Sequence, residues 1–537
     1  MGVTLGTYGA TGASGFTTFT ASVDTNIYYV STSGNDGTAV ANDIAHPWAT
    51  PRTAFNQMRG GYPDWVLLKK GDTWTNQAFG VADPSKHYGR SANEPQRIGS
   101  YGTGARPRIK YSQFNTDGVS VNVALRLGAG GFPLGPTGNY FAVTGIHFWA
   151  YLKDEYSPDL VLPQHDEYNT GAIYHSDAFQ WFLIEDCVCQ AASLTIDSGY
   201  SKYENPAAVR NGTAIVRRSL IFGNYGQMNH KDHDGNVLTP PATYPSLEYF
   251  NSSAGIYCSN IDNFVLEECL LDHNGWADAL GPNDGVTIGD AGAQRNGNSH
   301  NLYGQYGNGI VTARGNIVTR GSYDGLKTRG GGNMTDNYFD NNQEDMETLH
   351  PDYGFFNQWP TADMFISDNV CRHLASTYPR VLVADPSAAA VAAPIGKLNI
   401  LRNIFAHAPT MAVAFGGYIN NVTVQNNVFF SVNDAINGGA GGVNFITTPN
   451  QTDLNGDNTE YSFSAPTRDA ASYNGTLGGT ATLAAFITEV KLQSADNWRP
   501  AYTANAVNNY VRAGFGMAPV IIAEASAGTS RPRLRLR

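Results

Sequence analysis

The sequence predicts an all-β chain wound as a parallel β-helix, with a short capping helix near its start and a small module at its end. Three observations predict it. First, one phrase recurs between residues 183 and 429: an apolar, alternating stretch that ends in Asn, Ser or Cys followed by an apolar residue or pair. It reads Leu183-Ile184-Glu185-Asp186-Cys187-Val188, then Ile215-Val216-Arg217-Arg218-Ser219-Leu220 and Val265-Leu266-Glu267-Glu268-Cys269-Leu270. It returns as Val311-Thr312-Ala313-Arg314-Gly315-Asn316-Ile317, and later copies end at Asn337-Tyr338-Phe339, Asn369-Val370, Asn403-Ile404-Phe405 and Asn427-Val428-Phe429. Steps of roughly 20 to 50 residues mark a stack of repeated units. Second, the alternation inside each copy has period two, so the unit is a strand and not a helix. Third, charged residues make up only 15% of the chain, against 59 Gly, 29 Tyr and 25 Phe. Turn formers and aromatics in that proportion suit many short strands.

The bulk properties bound the rest. A chain of 537 residues exceeds the roughly 250–300 residues at which a single globular core stops growing. A solenoid escapes that limit because each coil touches only its neighbours. The expected division is a flexible arm over residues 1–25, one coiled body over 26–440, and a terminal part over 441–537. The net charge of −12 argues against a nucleic-acid partner, which would want a basic face. No run of 18 apolar residues exists, so no membrane insertion is expected. The first ten residues, Met1 to Ala10, lack the basic and apolar regions of a secretory signal. The expectation is an extracellular protein, either secreted and trimmed or released by lysis as part of a virion. Five cysteines without a C-x-x-C pattern make neither a disulfide framework nor a zinc site. Cys187 and Cys269 share the anchor position and read as small core residues.

Along the chain, residues 1–25 are rich in Gly, Thr, Ser and Ala and read as a linker-like arm. Order begins at Asn26-Ile27-Tyr28-Tyr29-Val30-Ser31, followed by the turn cluster Ser33-Gly34-Asn35-Asp36-Gly37. In His46-Pro47-Trp48-Ala49-Thr50-Pro51-Arg52-Thr53-Ala54-Phe55, Thr50 is an N-cap and Pro51 a first helical residue. A helix placed there covers the open end of the first coil, which otherwise exposes strand edges and core. The coil spacing is broken by insertions at 150–180, 223–255 and 272–310, expected to form loops along one face. Past residue 440 the phrase stops, and helices are expected over 481–490 and 505–512. The tail Arg531-Pro532-Arg533-Leu534-Arg535-Leu536-Arg537 is basic and reads as solvated.

Tyr28-Tyr29-Val30-Ser31, Gly34-Asn35-Asp36-Gly37 and His46-Pro47-Trp48-Ala49-Thr50 resemble the opening of the pectate-lyase-like right-handed β-helix superfamily. Gly71-Asp72-Thr73-Trp74 and Ile98-Gly99-Ser100-Tyr101-Gly102 stand where that superfamily has its first coils. The resemblance covers roughly residues 26–435. It implies a right-handed coil and a polysaccharide partner, in a group that includes lyases, glycoside hydrolases, epimerases and phage tailspikes. Fold is shared there while function is carried by grafted sites.

The densest polar segment runs from Leu271 to His350. At period two, Tyr323, Gly325, Lys327 and Arg329 would face outward, while Asp324, Leu326 and Thr328 would face the interior. A line of donors suits β-elimination from a uronic acid. That reaction needs a cation on the carboxylate, a base for the C5 proton and an acid for the leaving oxygen. Arg329 can fork the carboxylate, Lys327 or His300 can be the base, and Tyr303 or Tyr323 can be the acid. His300-Asn301-Leu302-Tyr303 followed by Gly325-Leu326-Lys327-Thr328-Arg329 also looks like a pairing that recurs in β-helix proteins of this superfamily. Trp276, Asp278, Asp284, Asp324 and Glu347 are expected to shape the groove. The rival chemistry is glycoside hydrolysis, which needs two carboxylates roughly 5–10 Å apart. Asp324 and Glu347 on successive coils could meet that spacing, with Asp278, Asp284, Asp345 and Glu344 as further candidates. His230-Lys231-Asp232-His233-Asp234-Gly235 could bind a metal or be a polar loop tip. Calcium is a common helper in the superfamily, but no dedicated calcium loop stands out. Aromatics in the insertions, among them Trp149, Tyr151, Tyr174, Trp181, Trp276 and Tyr303, could stack on sugar faces.

The expected function is depolymerisation of an acidic extracellular or capsular polysaccharide, by β-elimination ahead of hydrolysis. A phage tailspike would be a homotrimer with chains side by side, and a secreted lyase a monomer. A spike or adhesin that holds glycan without cutting it is the non-enzymatic alternative.

Overall fold

A computed structural model of the chain describes residues 2–112, 123–128, 139–160, 171–176, 178–197, 211–225, 253–277, 299–305, 308–349, 363–372, 380–383, 397–407, 412–415, 422–430, 436–437, 459–461 and 468–522. Within them three parallel sheets run the length of the molecule. Sheet 1 has 12 strands, from Ile27–Val30 to Val422–Gln425; sheet 2 has 12, from Thr73–Thr75 to Thr459–Tyr461; sheet 3 has 11, from Gly80–Val81 to Ile436–Asn437. The chain visits the sheets in rotation, so each coil adds one strand to each. This is the right-handed parallel β-helix expected from the sequence. Its core is one continuous apolar column, from Tyr28 and Val30 through Ile184, Leu266 and Leu326 to Phe405 and Phe429.

The recurring anchor residues explain the coil. Between sheets 1 and 2 the chain turns through one residue in the left-handed region, such as Asp186 (φ 58°), Glu268 (φ 53°), Asp336 (φ 54°) or Asp368 (φ 62°). The anchor follows and points inward. Cys269 N donates to Asn316 Oδ1 at 3.0 Å, Asn316 N to Asn337 Oδ1 at 3.0 Å, and Asn337 N to Asn369 Oδ1 at 2.9 Å. Asn369 N then donates to Asn403 Oδ1 at 3.0 Å, and Asn403 N to Asn427 Oδ1 at 2.9 Å. Each amide also donates from Nδ2 to a carbonyl of the preceding coil, as Asn337 does to Ala313 O at 3.0 Å. Among the described residues these anchor amides all have hydrogen-bond partners. In the earlier coils Ser219 Oγ takes the same part, accepting from Cys187 N at 3.1 Å. All five cysteines are buried and free.

Helix α1 (Pro51–Phe55) starts at Thr50, whose side chain accepts from Thr53 N, with Pro51 at the first turn. Ala54 and Phe55 are fully buried, and Phe55 packs on Phe79, Phe141 and His87. The helix closes the N-terminal end as expected.

Residues 2–25, expected to be a flexible arm, carry a hairpin of Gly2–Thr4 and Thr18–Thr20. Val3, Leu5 and Phe19 cover the outward residues Ala142, Trp181, Leu183 and Ile215 of sheet 1. The physical reason is that this patch is apolar and needs a lid. Trp181 is therefore under the hairpin and not in a groove. Beside it, Arg217 bridges Glu185 and Glu267 at 2.8 Å each, and Thr17 N donates to Glu185 at 2.9 Å.

Helices α2 (Ala470–Thr476), α3 (Leu483–Val490) and α4 (Ala504–Gly514) lie along sheet 2. Phe486, Ile487, Val490, Val507, Val511 and Phe515 pack on Val188, Leu220, Leu270, Ile317, Tyr338, Val370 and Ile404. Helices α3 and α4 fall where the sequence places them. Helix α2 carries Asn474 and Gly475, poor helix formers, and is made by its cap: Asp469 accepts from Ser472 N at 2.7 Å.

Candidate functional site

The candidate site lies on the outer face of sheet 3, on the strands His300–Gly304, Asp324–Thr328 and Glu344–Thr348. Their register pairs Tyr303 with Lys327 and Lys327 with Glu347, and pairs Asp324 with Glu344. Strict alternation would send Asp324 inward with Leu326. The structure places it outward instead. A Cβ on Gly325 would stand 2.7 Å from Asp345 O of the next coil and 3.1 Å from both Phe339 and Val318 of the core, so Gly325 turns to the core side. Leu326 is also buried in the core. Two successive inward residues put Asp324 and Lys327 on one side, with Lys327 Nζ 3.7 Å from Asp324 Oδ2.

The same bend recurs one coil earlier. Asn301 points inward between Asn274 and Asn342, accepting from Asn274 Nδ2 at 2.8 Å and donating to Asn342 Oδ1 at 3.2 Å. This second amide ladder fixes the strand on which His300 and Tyr303 stand. The ring of His300 lies 5.1 Å from that of Tyr303 and 6.4 Å from that of Tyr323. Its Nδ1 is 2.9 Å from Asp324 Oδ2. The Arg329 guanidinium sits 5.1 Å from the Tyr303 ring centre.

Charge is arranged unevenly. Lys327 Nζ is 2.5 Å from Glu347 Oε2, so two carboxylates flank one ammonium. Burial works against that ammonium, but Asp324 and Glu347 outweigh it and raise its pKa. Glu344 is fully buried, and neither carboxyl oxygen has a hydrogen-bond partner among the described residues. Burial, then repulsion from Asp324 and Glu347, pushes its pKa well above the usual carboxylate range. Burial also raises the Tyr303 phenol, against the pull of Arg329 and Lys327.

No family model matches the chain, and no curated protein matches it. Solved structures do. It is similar to a GH136 lacto-N-biosidase from Eubacterium ramulus, with a TM-score of 0.40 and 13% identity over 81% of this chain and 68% of that one. It is similar to the A-module of a mannuronan C-5 epimerase from Azotobacter vinelandii, with a TM-score of 0.37 and 10% identity over 83% of this chain and 90% of that one. A surface adhesin of Streptococcus pneumoniae gives a TM-score of 0.35 and 10% identity over 72% and 87%. These likenesses concern the fold alone.

The structure therefore brings together His300, Tyr303, Tyr323, Asp324, Lys327, Arg329 and Glu347. Trp276 stands one coil before Tyr323 at the edge of the cluster, its Nε1 donating to Arg320 O at 2.7 Å. Its ring lies 4.3 Å from His273, and His273 Nδ1 is 3.5 Å from Glu155. Asp278, Asp284 and the His230–Gly235 segment lie outside the described residues. Among the described residues no group of three metal-ligating side chains could hold an ion, and no helix is long and apolar enough to cross a membrane. The residue weighed least in the sequence is Glu344. Its signal was the run Glu344-Asp345-Met346-Glu347, with three acids in four positions. Asp345 belongs elsewhere, at 3.5 Å from the fully buried Arg380.

Proposed function

We propose that the outer face of sheet 3 binds an acidic polysaccharide and cleaves it by β-elimination. The observation that carries this reading is the grouping of His300, Tyr303 and Arg329 beside Asp324. Asp324 Oδ2 stands 2.9 Å from His300 Nδ1 as a charge beside the imidazole, and we assign Nε2 as the basic nitrogen. Lys327 is held as an ammonium by its two carboxylates, so the base is His300 and not Lys327. Arg329 forks the uronate carboxylate and makes the C5 proton acidic. His300 Nε2 takes that proton, the electron pair forms the C4–C5 double bond, and the C4–O4 bond breaks. The Tyr303 hydroxyl protonates the departing O4.

Hydrolysis is the second reading, favoured by one observation. The Glu344 carboxyl is pushed up by burial and by Asp324 and Glu347 beside it, and a raised-pKa acid beside a second carboxylate is what a glycosidase uses.

The test is ultraviolet absorbance of an unsaturated uronate during action on a panel of acidic polysaccharides, with reducing ends counted in parallel. Absorbance rising with reducing ends, and lost in His300→Ala and Tyr303→Phe, supports elimination. Reducing ends without absorbance, lost in Glu344→Gln, supports hydrolysis. Binding without either signal supports the spike or adhesin reading.

A further inference from the structure

Sheet 3 extends well beyond the His300 cluster toward the N-terminus, and one outward row keeps register along it. Successive pairings set Arg126 beside Tyr174, Tyr174 beside Thr195, Thr195 beside Tyr257, and Tyr257 beside Tyr303. All five are half-buried, while the flanking Leu125, Leu127, Ile173, Leu194, Ile196 and Ile256 are fully buried. The row is thus the solvent side of the sheet, and it carries three tyrosines and one arginine. The Tyr257 and Tyr303 rings stand 5.6 Å apart. At its far end the Arg126 guanidinium lies 5.4 Å from the Tyr174 ring centre. Arg126 Nε has no hydrogen-bond partner, and Arg126 makes no ion pair among the described residues. Some half-buried arginines of the body are neutralised, as Arg320 by Asp272 at 2.7 Å and Arg106 by Asp186 at 2.5 Å, while Arg97 and Arg108 share with Arg126 a place against an aromatic ring without an ion pair among the described residues; of these three only Arg126 lies on the tyrosine row of sheet 3. Arg126 is a cation held against a ring with no anion beside it among the described residues.

Strand spacing sets a length. Adjacent strands are roughly 4.8 Å apart, so Arg126 lies four spacings, about 19 Å, from Tyr303. One spacing is close to the advance of one sugar in an extended polysaccharide.

Resting on the reading above, we propose that Tyr257, Tyr174 and Arg126 are remote subsites holding an extended anionic glycan along the coil axis. Arg126 receives an anionic substituent, carboxylate or sulfate, about four sugars from the reacting linkage. Tyrosine rings offer flat apolar faces to sugars. A guanidinium offers two parallel donors to a carboxylate or sulfate. A protein so built acts within a long chain and favours long substrates over short ones.

The test is affinity electrophoresis of the full chain through gels holding alginate, hyaluronan, chondroitin sulfate or neutral dextran, at low salt. The wild type is expected to be retarded by a polyanion and not by dextran. Alginate or hyaluronan retardation marks a carboxylate reader, and retardation by chondroitin sulfate alone marks a sulfate reader. Arg126→Ala and Tyr174→Ala are expected to weaken that binding about tenfold, and Arg126→Lys to restore part of it. A circular dichroism melt matching the wild type shows that the variants fold. Wild-type retardation that Arg126→Ala leaves intact overturns the inference, as does equal retardation by dextran or none by any polymer. Polyanion binding that needs Arg126 but yields no cleavage product keeps the inference and removes the elimination reading instead.

Discussion

His300 and Asp324 stand on successive coils, 24 positions apart in the sequence, with Nδ1 of one 2.9 Å from Oδ2 of the other. Asp324 is there because Gly325 turns inward and frees its predecessor to face the site. Gly325→Ala is therefore expected to act twice, pushing a methyl group against Asp345 O, Phe339 and Val318 and moving Asp324. The expected outcome is lost turnover together with a cost of about 1–3 kcal/mol from overpacking, measured by urea unfolding.

Asp324→Asn keeps the shape and removes the charge 2.9 Å from the imidazole. Turnover is expected to fall about 10²- to 10⁴-fold while binding to the polymer persists. Because Asp324 also faces Lys327, the melt must be recorded alongside the rate. A rate loss without a matching loss of binding separates a chemical role from a structural one.

Lys327→Ala leaves Asp324 and Glu347 buried without their shared cation. Breaking a buried pair from one side costs about 3–5 kcal/mol, and equilibrium unfolding in urea is expected to show it. Lys327→Ala with Glu347→Gln removes one of the stranded charges, so the double variant is expected to recover part of that stability.

Asp340 and Asp345 have their carboxyl groups pushed up by burial to about 6 and about 7, and Asp336 to about 6. Unfolded, such groups titrate near about 4. Between these values the folded chain binds more protons than the unfolded one. The stability these groups supply is complete below about pH 4 and is lost as pH rises through 6 to 7. The urea midpoint is expected to fall from pH 5 to pH 8, and Asp340→Asn to flatten that slope. Tyr338, which donates to Asp340 Oδ2 at 2.7 Å, retains an acceptor in that variant.

Asn337→Ala strands the amides of Asn316 and the carbonyl of Ala313 in the turn between sheets 1 and 2. Each buried group left unpaired costs about 1–3 kcal/mol. Hydrogen exchange at Asn316 is expected to quicken more than exchange at the distant Val143.

The coil was legible because its repeating chemistry is local. The anchors Cys269, Asn316, Asn337, Asn369, Asn403 and Asn427 are spaced by chance insertions, yet each meets the same turn and the same inward direction. The helix after Thr50 was legible for the same reason, since a cap and a proline act within one turn. Asp324 was misplaced because period two holds only while a strand stays flat, and the bend at Gly325 depends on Phe339 from another sheet. The arm was misread because what holds it, the apolar patch of Trp181, Leu183 and Ile215, is assembled from strands far along the chain. Helix α2 was missed because Asn474 and Gly475 disfavour a helix that only the Asp469 cap and the contact with sheet 2 sustain.

The hairpin of residues 2–20 and the helices α2, α3 and α4 divide two of the three flanks between them. Sheet 1 wears the hairpin over its apolar patch, and sheet 2 wears the helices. Both coverings are apolar and both come from the same chain. Sheet 3, which bears the row of Arg126, Tyr174 and Tyr257, wears neither the hairpin nor the helices. The flank left bare is the one that a long polymer would need.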